Sequence, residues 1–167
     1  PWFFIDHKGK PREAFEQEMI EVIDGFEPDI VVLAGFMRAL TERFVGHYQG
    51  RLINIHPALL PSFPGVHGQK DALDYGVKVS GCTVHFVTTE VDAGPIILQY
   101  PVFVHEGDTE DDLASRILSV EHRILPLAVK LFAQGRLSVD GRRVRIKDFT
   151  EKELLNWMAM AEEKGLR

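Results

Sequence analysis

Asn54, His56 and Asp92 are of types that can hold a developing negative charge or move a proton, and each stands where an α/β chain delivers ligand groups. Leu52-Ile-Asn-Ile55 reads as a buried strand whose alternation puts Asn54 and His56 on one side and Ile55 on the other. An amide donor and an imidazole converging at a strand end can stabilise an oxyanion and relay a proton. Pro57 then forces the chain out of the strand and helps to fix the histidine. Val91-Asp92-Ala-Gly94 places an acid in a turn at a second strand junction. If Asp92 reaches His56, it orients the ring and favours its charged form. Each residue alone also has a structural reading: a capped histidine, an Asn satisfying loose backbone groups, a turn acid. Their combination is what points to catalysis.

The elements that must position them follow from periodicity. Pro11 to Phe26 reads as a helix with Phe15, Met19, Val22, Ile23 and Phe26 on one face and acids on the other. Ile30 to Ala34 is a continuous apolar run, as expected of a parallel strand covered on both faces. Thr41 is placed to cap a helix through Tyr48, and Leu52 to Ile55 completes a βαβ unit. A loop punctuated by Pro57, Pro61 and Pro64 leads to a helix over about Gln69 to Tyr75. Val79 to Val87 and Pro95 to Val104 read as a hairpin-like strand pair, so the sheet is mixed. Asp108 or Thr109 caps a long helix through Leu113, Ile117, Val120, Ile124 and Leu127, with a kink expected at Pro126. Leu137-Ser-Val and Arg143 to Ile146 flank the hairpin signal Asp140-Gly141, and Thr150 to about Lys164 forms a terminal helix.

Composition sets the limits. The 167 residues fit a single domain, carry a net charge of -6 and include one cysteine, Cys82. The acidic balance argues against non-specific binding to nucleic acid or an anionic membrane. A lone cysteine excludes an internal disulfide and suits a reducing, cytoplasmic setting. The 7 histidines show no metal-ligand spacing, so no metal is expected. No apolar run approaches the length that spans a bilayer.

Gly50-Arg-Leu-Ile-Asn-Ile-His-Pro-Ala-Leu-Leu-Pro61, followed by Phe63-Pro-Gly65, resembles the signature of the folate-dependent formyltransferases. Val84-His-Phe-Val-Thr-Thr-Glu-Val-Asp-Ala-Gly-Pro-Ile-Ile97 resembles the folate-binding loop and catalytic aspartate of the same family. Val32 to Arg38 and Pro11 to Phe15 match its upstream segments, so the resemblance runs in order from about Pro11 to Arg145. Methionyl-tRNA formyltransferases carry Arg-Gly where Phe63-Pro-Gly65 stands here, and append a basic RNA-contacting domain. Formyltetrahydrofolate hydrolases tend to have a second His and a Ser-Phe-Leu-Pro element where this chain reads His56 to Pro61. The wording favours the glycinamide ribonucleotide (phosphoribosylglycinamide) branch.

The resemblance implies a Rossmann-like α/β fold, a mostly parallel mixed sheet flanked by helices. It implies transfer of the formyl group of 10-formyltetrahydrofolate, a co-substrate, to the amine of glycinamide ribonucleotide in purine (IMP) synthesis. Asn54 would donate to the formyl oxygen, protonated His56 would stabilise the oxyanion and donate a proton, and Asp92 would hold the histidine charged. Met37, Arg38, Ala39 and Leu40, with Thr88, Thr89, Glu90, Val91 and Asp92, would grip the pterin. Arg12 would lie near the folate, and Glu121 is a candidate for the ribose hydroxyls. His85 would sit near the centre, as a participant or as a strand histidine supporting Asp92. Family members open with a strand and a Gly/Ser/Asn-rich phosphate-holding loop that is not found here. The expectation is therefore one formyltransferase domain over 1–167 lacking an initial βαβ-sized portion of on the order of 50 residues. Its open sheet edge would invite a homodimer or other self-association. Hydrolysis of 10-formyltetrahydrofolate, and a folate-binding subunit inactive alone, remain as alternatives.

Overall fold

The computed structural model describes residues 1–163. Helix α1 (Arg12–Asp24) starts after Pro11, whose carbonyl accepts from Phe15 N at 3.1 Å, and stops at Gly25. Phe26 thus falls beyond the helix and is exposed, against expectation, whereas Ile20 and Glu16 are buried. Glu16 was expected on the polar face. It can be buried because the backbone N–H of Thr41 (2.9 Å) and the Thr41 hydroxyl both donate to its carboxylate.

Strand β1 (Val31–Leu33) is shorter than expected and is not covered on both faces. Among the described residues only β2 (Leu52–His56) pairs with it, in parallel, and Val32 is 38% exposed at the sheet edge. Between them lies α2 (Glu42–His47), capped as expected by Thr41, whose hydroxyl accepts from Phe44 N at 3.3 Å. The strand–helix–strand unit is therefore present.

After α3 (Gly68–Tyr75), β3 (Val79–Phe86) runs antiparallel to β2, and β4 (Ile96–Phe103) runs antiparallel to β3. Helix α4 (Glu110–Ala133) opens on a reciprocal cap: Asp112 N donates to the Thr109 hydroxyl (3.2 Å), and Thr109 N to Asp112 Oδ2 (2.9 Å). It continues through Pro126 without ending there. Its buried stripe of Leu113, Ile117, Val120, Ile124, Leu127 and Leu131 packs with Ile53, Ile55, Val84 and Leu98 of the sheet. A second cluster, with Ile20, Phe44, Tyr48 and Leu52, joins α1 and α2 to the other face. Leu52 and Ile53 belong to different clusters, as strand alternation requires.

Strands β5 (Leu137–Asp140) and β6 (Arg143–Ile146) form the expected hairpin, with the turn one residue later than Asp140-Gly141 suggests. Asp140 pairs with Arg143, leaving Gly141-Arg142 as the two-residue loop, and Gly141 takes φ +60°, the conformation that such a loop requires. The sheet order is β1-β2-β3-β4-β6-β5. Its parallel pairs are β1–β2 and β4–β6 and the other neighbours are antiparallel, a smaller parallel share than "mostly parallel". The short β3–β4 and β5–β6 connections permit only antiparallel pairing. Helix α5 (Glu151–Glu163) packs against α4, where Trp157 Nε1 donates to Arg123 O at 2.8 Å; Lys164 lies outside the described residues.

Candidate active site

Strand β2 delivers Asn54 and His56 to the same side, and β3 runs antiparallel beside it with His85 opposite Asn54. The β3–β4 register slips between Val84 and His85, a bulge of the kind that re-aims a side chain beside a site. Beyond β3, a turn closed by Ala93 N to Glu90 O (3.4 Å) carries Asp92 at φ +52°. That left-handed conformation is unusual for a residue other than glycine and marks a constrained position. Gly94 follows it; a Cβ there would fall 1.7 Å from the Phe86 carbonyl oxygen, so only glycine lets the chain pass.

The three groups converge. Nε2 of His56 donates to the carbonyl of Phe63 at 2.8 Å, which leaves Nδ1 as the nitrogen facing Asp92, 3.4 Å from Oδ2. The same carboxylate oxygen accepts from Gly65 N at 2.8 Å. Oδ1 lies 3.7 Å from Nε2 of His85, so the carboxylate stands between two imidazoles. His85 Nδ1 donates to Phe86 O at 2.9 Å, and Asn54 Nδ2 donates to His85 Nε2 at 3.3 Å. Burial disfavours a charge on His85 and lowers its pKa below the usual histidine value, although the Phe86 carbonyl and Asp92 pull the other way. A neutral His85 protonated on Nδ1 matches both contacts.

A cavity of about 440 Å³ opens onto these groups. Met37, Arg38, Ala39 and Leu40 line it on one side, and Thr88, Thr89, Glu90, Val91 and Asp92 on another. His85 and Glu121 line it too. Burial raises the pKa of Glu121 above the ordinary glutamate value, with His122 opposing. No residue of the described chain gives this carboxylate a hydrogen bond or ion pair. Arg12 is the one expected residue that is not brought in; it is exposed at the start of α1 and absent from the cavity wall. Arg38 lines the wall with its guanidinium over the Phe15 ring, 5.3 Å from the centroid.

The sequence reading missed the groups that hold the site: the Phe63 carbonyl, the Gly65 N–H and Arg142. Two are backbone groups, whose placement residue type does not reveal. Arg142, in the β5–β6 turn, donates to Ala93 O at 3.0 Å beside Asp92, a contact made 49 residues away. Phe63-Pro-Gly65 was a visible motif, but its function as a clamp on both His56 and Asp92 appears only in three dimensions. The loop is secured from below by buried Thr83, whose hydroxyl donates to Ala58 O (2.7 Å) and accepts from Leu60 N (3.0 Å). Among the described residues no group of three or more His, Cys, Asp or Glu side chains could hold a metal, and no helix is long and apolar enough to cross a membrane.

A mixed α/β sheet that brings Asn54, His56 and Asp92 to one cavity is an arrangement suited to group-transfer chemistry. The profile of the formyl transferase family matches residues 1–129, and the chain belongs to that family. It is 49% identical over 149 residues to the phosphoribosylglycinamide formyltransferase of Escherichia coli (strain K12), covering 85% of this chain and 70% of that protein. Among solved structures, glycinamide ribonucleotide transformylase 1 from Symbiobacterium toebii superposes with a TM-score of 0.81 at 54% identity, over 83% of this chain and 65% of that one. A formyltetrahydrofolate deformylase from Pseudomonas syringae pv. tomato gives a TM-score of 0.83 at 32% identity, over 89% and 50%. The chain thus spans about two thirds of the length of the transformylases that it matches.

Proposed function

We propose that this protein transfers the formyl group of 10-formyltetrahydrofolate to the primary amine of glycinamide ribonucleotide, in purine synthesis in the cytoplasm. The observation that carries the reading is the convergence of Asn54, His56 and Asp92 on one cavity in a chain about half identical to such transferases. The folate is a co-substrate, with its pterin against Met37 to Leu40 and Thr88 to Asp92. Glu121 accepts hydrogen bonds from the ribose hydroxyls, the donors that its carboxylate lacks within the described protein.

The amine nitrogen attacks the formyl carbon, and the carbonyl electron pair becomes an oxyanion. Asn54 uses one amide N–H on His85 and has a second to offer that oxygen. Because Nε2 of His56 is committed to the Phe63 carbonyl, the ring exchanges its proton through Nδ1, beside Asp92. The amine gives up one proton, the folate N10 gains one as its bond to the formyl carbon breaks, and the pair His56–Asp92 carries the exchange. No covalent enzyme intermediate or metal is called for.

Hydrolysis is the second reading, favoured by the deformylase of similar fold; water then replaces the amine. Incubation with 10-formyltetrahydrofolate, with and without glycinamide ribonucleotide, separates the two. Amine-dependent loss of formyl is expected; equal loss without the amine supports hydrolysis, and binding without turnover marks a folate-binding subunit. Self-association through the β1 edge belongs to the same proposal, and the sedimentation velocity of the protein tests it.

A further inference from the structure

Among the described residues the β5–β6 hairpin joins the rest of the sheet by one strand pairing, Ile96 with Arg143. The residue before it, Arg142, reaches from the hairpin loop to the catalytic turn, where Nη1 donates to the Ala93 carbonyl at 3.0 Å. Arg142 is exposed, and no carboxylate of the described residues pairs with it. Its guanidinium is committed instead to the backbone one residue beyond Asp92, through a charge-assisted bond. The turn has little else to hold it there. Its own closure, Ala93 N to Glu90 O, is long at 3.4 Å, and Asp92 keeps φ +52° against its intrinsic preference. Asp92 is therefore clasped from two sides: Gly65 N holds its carboxylate at 2.8 Å, and Arg142 holds the carbonyl that follows.

We propose that Arg142 is a positioning residue for the reaction: through the Ala93 carbonyl it fixes the turn that sets the Asp92 carboxylate between Gly65 and His56. The proposal rests on the formyl-transfer reading above and adds to it a residue 49 positions from the turn that it holds. Arg142 does not line the cavity, so it touches neither substrate there nor the imidazole. Its effect is carried by geometry, and a small displacement of an acid from its partner costs catalysis out of proportion to the bond lost. Removal of such a group lowers turnover rather than substrate binding. Gly94 directs the strain of a loosened turn toward Asp92, because the chain on its other side is pressed against the Phe86 carbonyl and cannot shift.

Arg142→Ala tests this by kinetics and by amide hydrogen exchange together. It should lower kcat roughly tenfold and leave KM for both substrates within about threefold. Exchange of the Gly65 amide, across the carboxylate from Arg142, should speed up at least about tenfold, while Ile117 and Ile124 of α4 exchange as before. Arg142→Lys keeps a charged donor and should restore both readouts to within about threefold. In Asp92→Asn, further loss of Arg142 should change the residual rate less than about twofold, since both act through one group. Unaltered kcat overturns the proposal, as does a lower kcat with Gly65 exchange unchanged, faster exchange shared by α4, or an undiminished effect in Asp92→Asn. If the unsubstituted protein transfers no formyl group, the activity reading fails by itself, and the Gly65 exchange comparison alone decides whether Arg142 positions Asp92.

Discussion

Oδ2 of Asp92 lies 3.4 Å from Nδ1 of His56 and at the same time accepts from the backbone N–H of Gly65 at 2.8 Å. The loop that carries Gly65 also supplies, two residues earlier, the carbonyl that takes the other imidazole N–H. Acid and imidazole are therefore fixed relative to each other by one short stretch of backbone rather than by their own contact. His56 and Asp92 side chains are 4% and 11% exposed, so neither is free to swing out. This is positioning of the kind that general acid–base chemistry needs, with geometry set before the substrate arrives.

His56→Ala and Asp92→Asn are each expected to lower formyl transfer by at least roughly a hundredfold, the scale of general acid–base contributions. Steady-state kinetics on folded variants checks this, and near-normal turnover by either removes that residue from the mechanism. The double variant should lose little more than the worse single one, because the two act as a unit.

Much of this was legible in the sequence because it rests on local patterns. The Thr41 and Thr109 caps, the α4 stripe and the alternation of Asn54 and His56 against Ile55 each need only a period and a residue type. What was not legible is decided by partners distant along the chain. Nothing in Ile30 to Ala34 says that only one neighbour will pair with it, so Val32 ends at an edge. Nothing near Glu16 announces the two donors of Thr41 that make its burial tolerable. Arg12 was placed by resemblance alone, and no local pattern tied it to the cavity.

Gly94→Ala should be far more damaging than its size suggests. The added methyl meets the Phe86 carbonyl at 1.7 Å, and Phe86 N is held by Pro95 O at 2.9 Å, so neither side can yield without breaking the β3–β4 junction. A cost of about 3 kcal/mol or more is expected, the upper end for overpacking. Chemical denaturation measures it; an unchanged midpoint would show that the turn relaxes freely and that Asp92 is less constrained than its φ indicates.

His85 should titrate below the usual histidine value of about 6.5 and carry its single proton on Nδ1. Because folded His85 binds a second proton less tightly than the unfolded chain does, the unfolded state is favoured as pH falls. Stability from this ring is complete above the unfolded value and is lost as pH drops through the folded one. Ring nitrogen shifts across a pH series report the tautomer and midpoint directly. A midpoint above 6.5 contradicts the neutral role, and His85→Gln should flatten the acid-side stability profile.

Glu121 gives the opposite sign. Burial holds its folded pKa above the ordinary glutamate value of about 4.3, so the folded state keeps a proton that the unfolded state has already released. The stability attached to that proton is fully present below the unfolded value and is lost as pH rises through the folded one. Above the unfolded value the folded state is thus penalised, with no hydrogen-bond donor among the described residues to offset the burial. Glu121→Gln should raise the denaturation midpoint at neutral pH, and the gain should vanish as the pH approaches about 4. The same substitution should raise KM for glycinamide ribonucleotide by roughly ten- to a hundredfold, since a hydrogen bond to a charged acceptor contributes about 1.5–3 kcal/mol, and should change kcat much less. A carboxylate retained for packing would give the stability gain with KM unchanged. One retained to bind the ribose hydroxyls gives both effects together, and their joint appearance is what assigns Glu121 to the substrate.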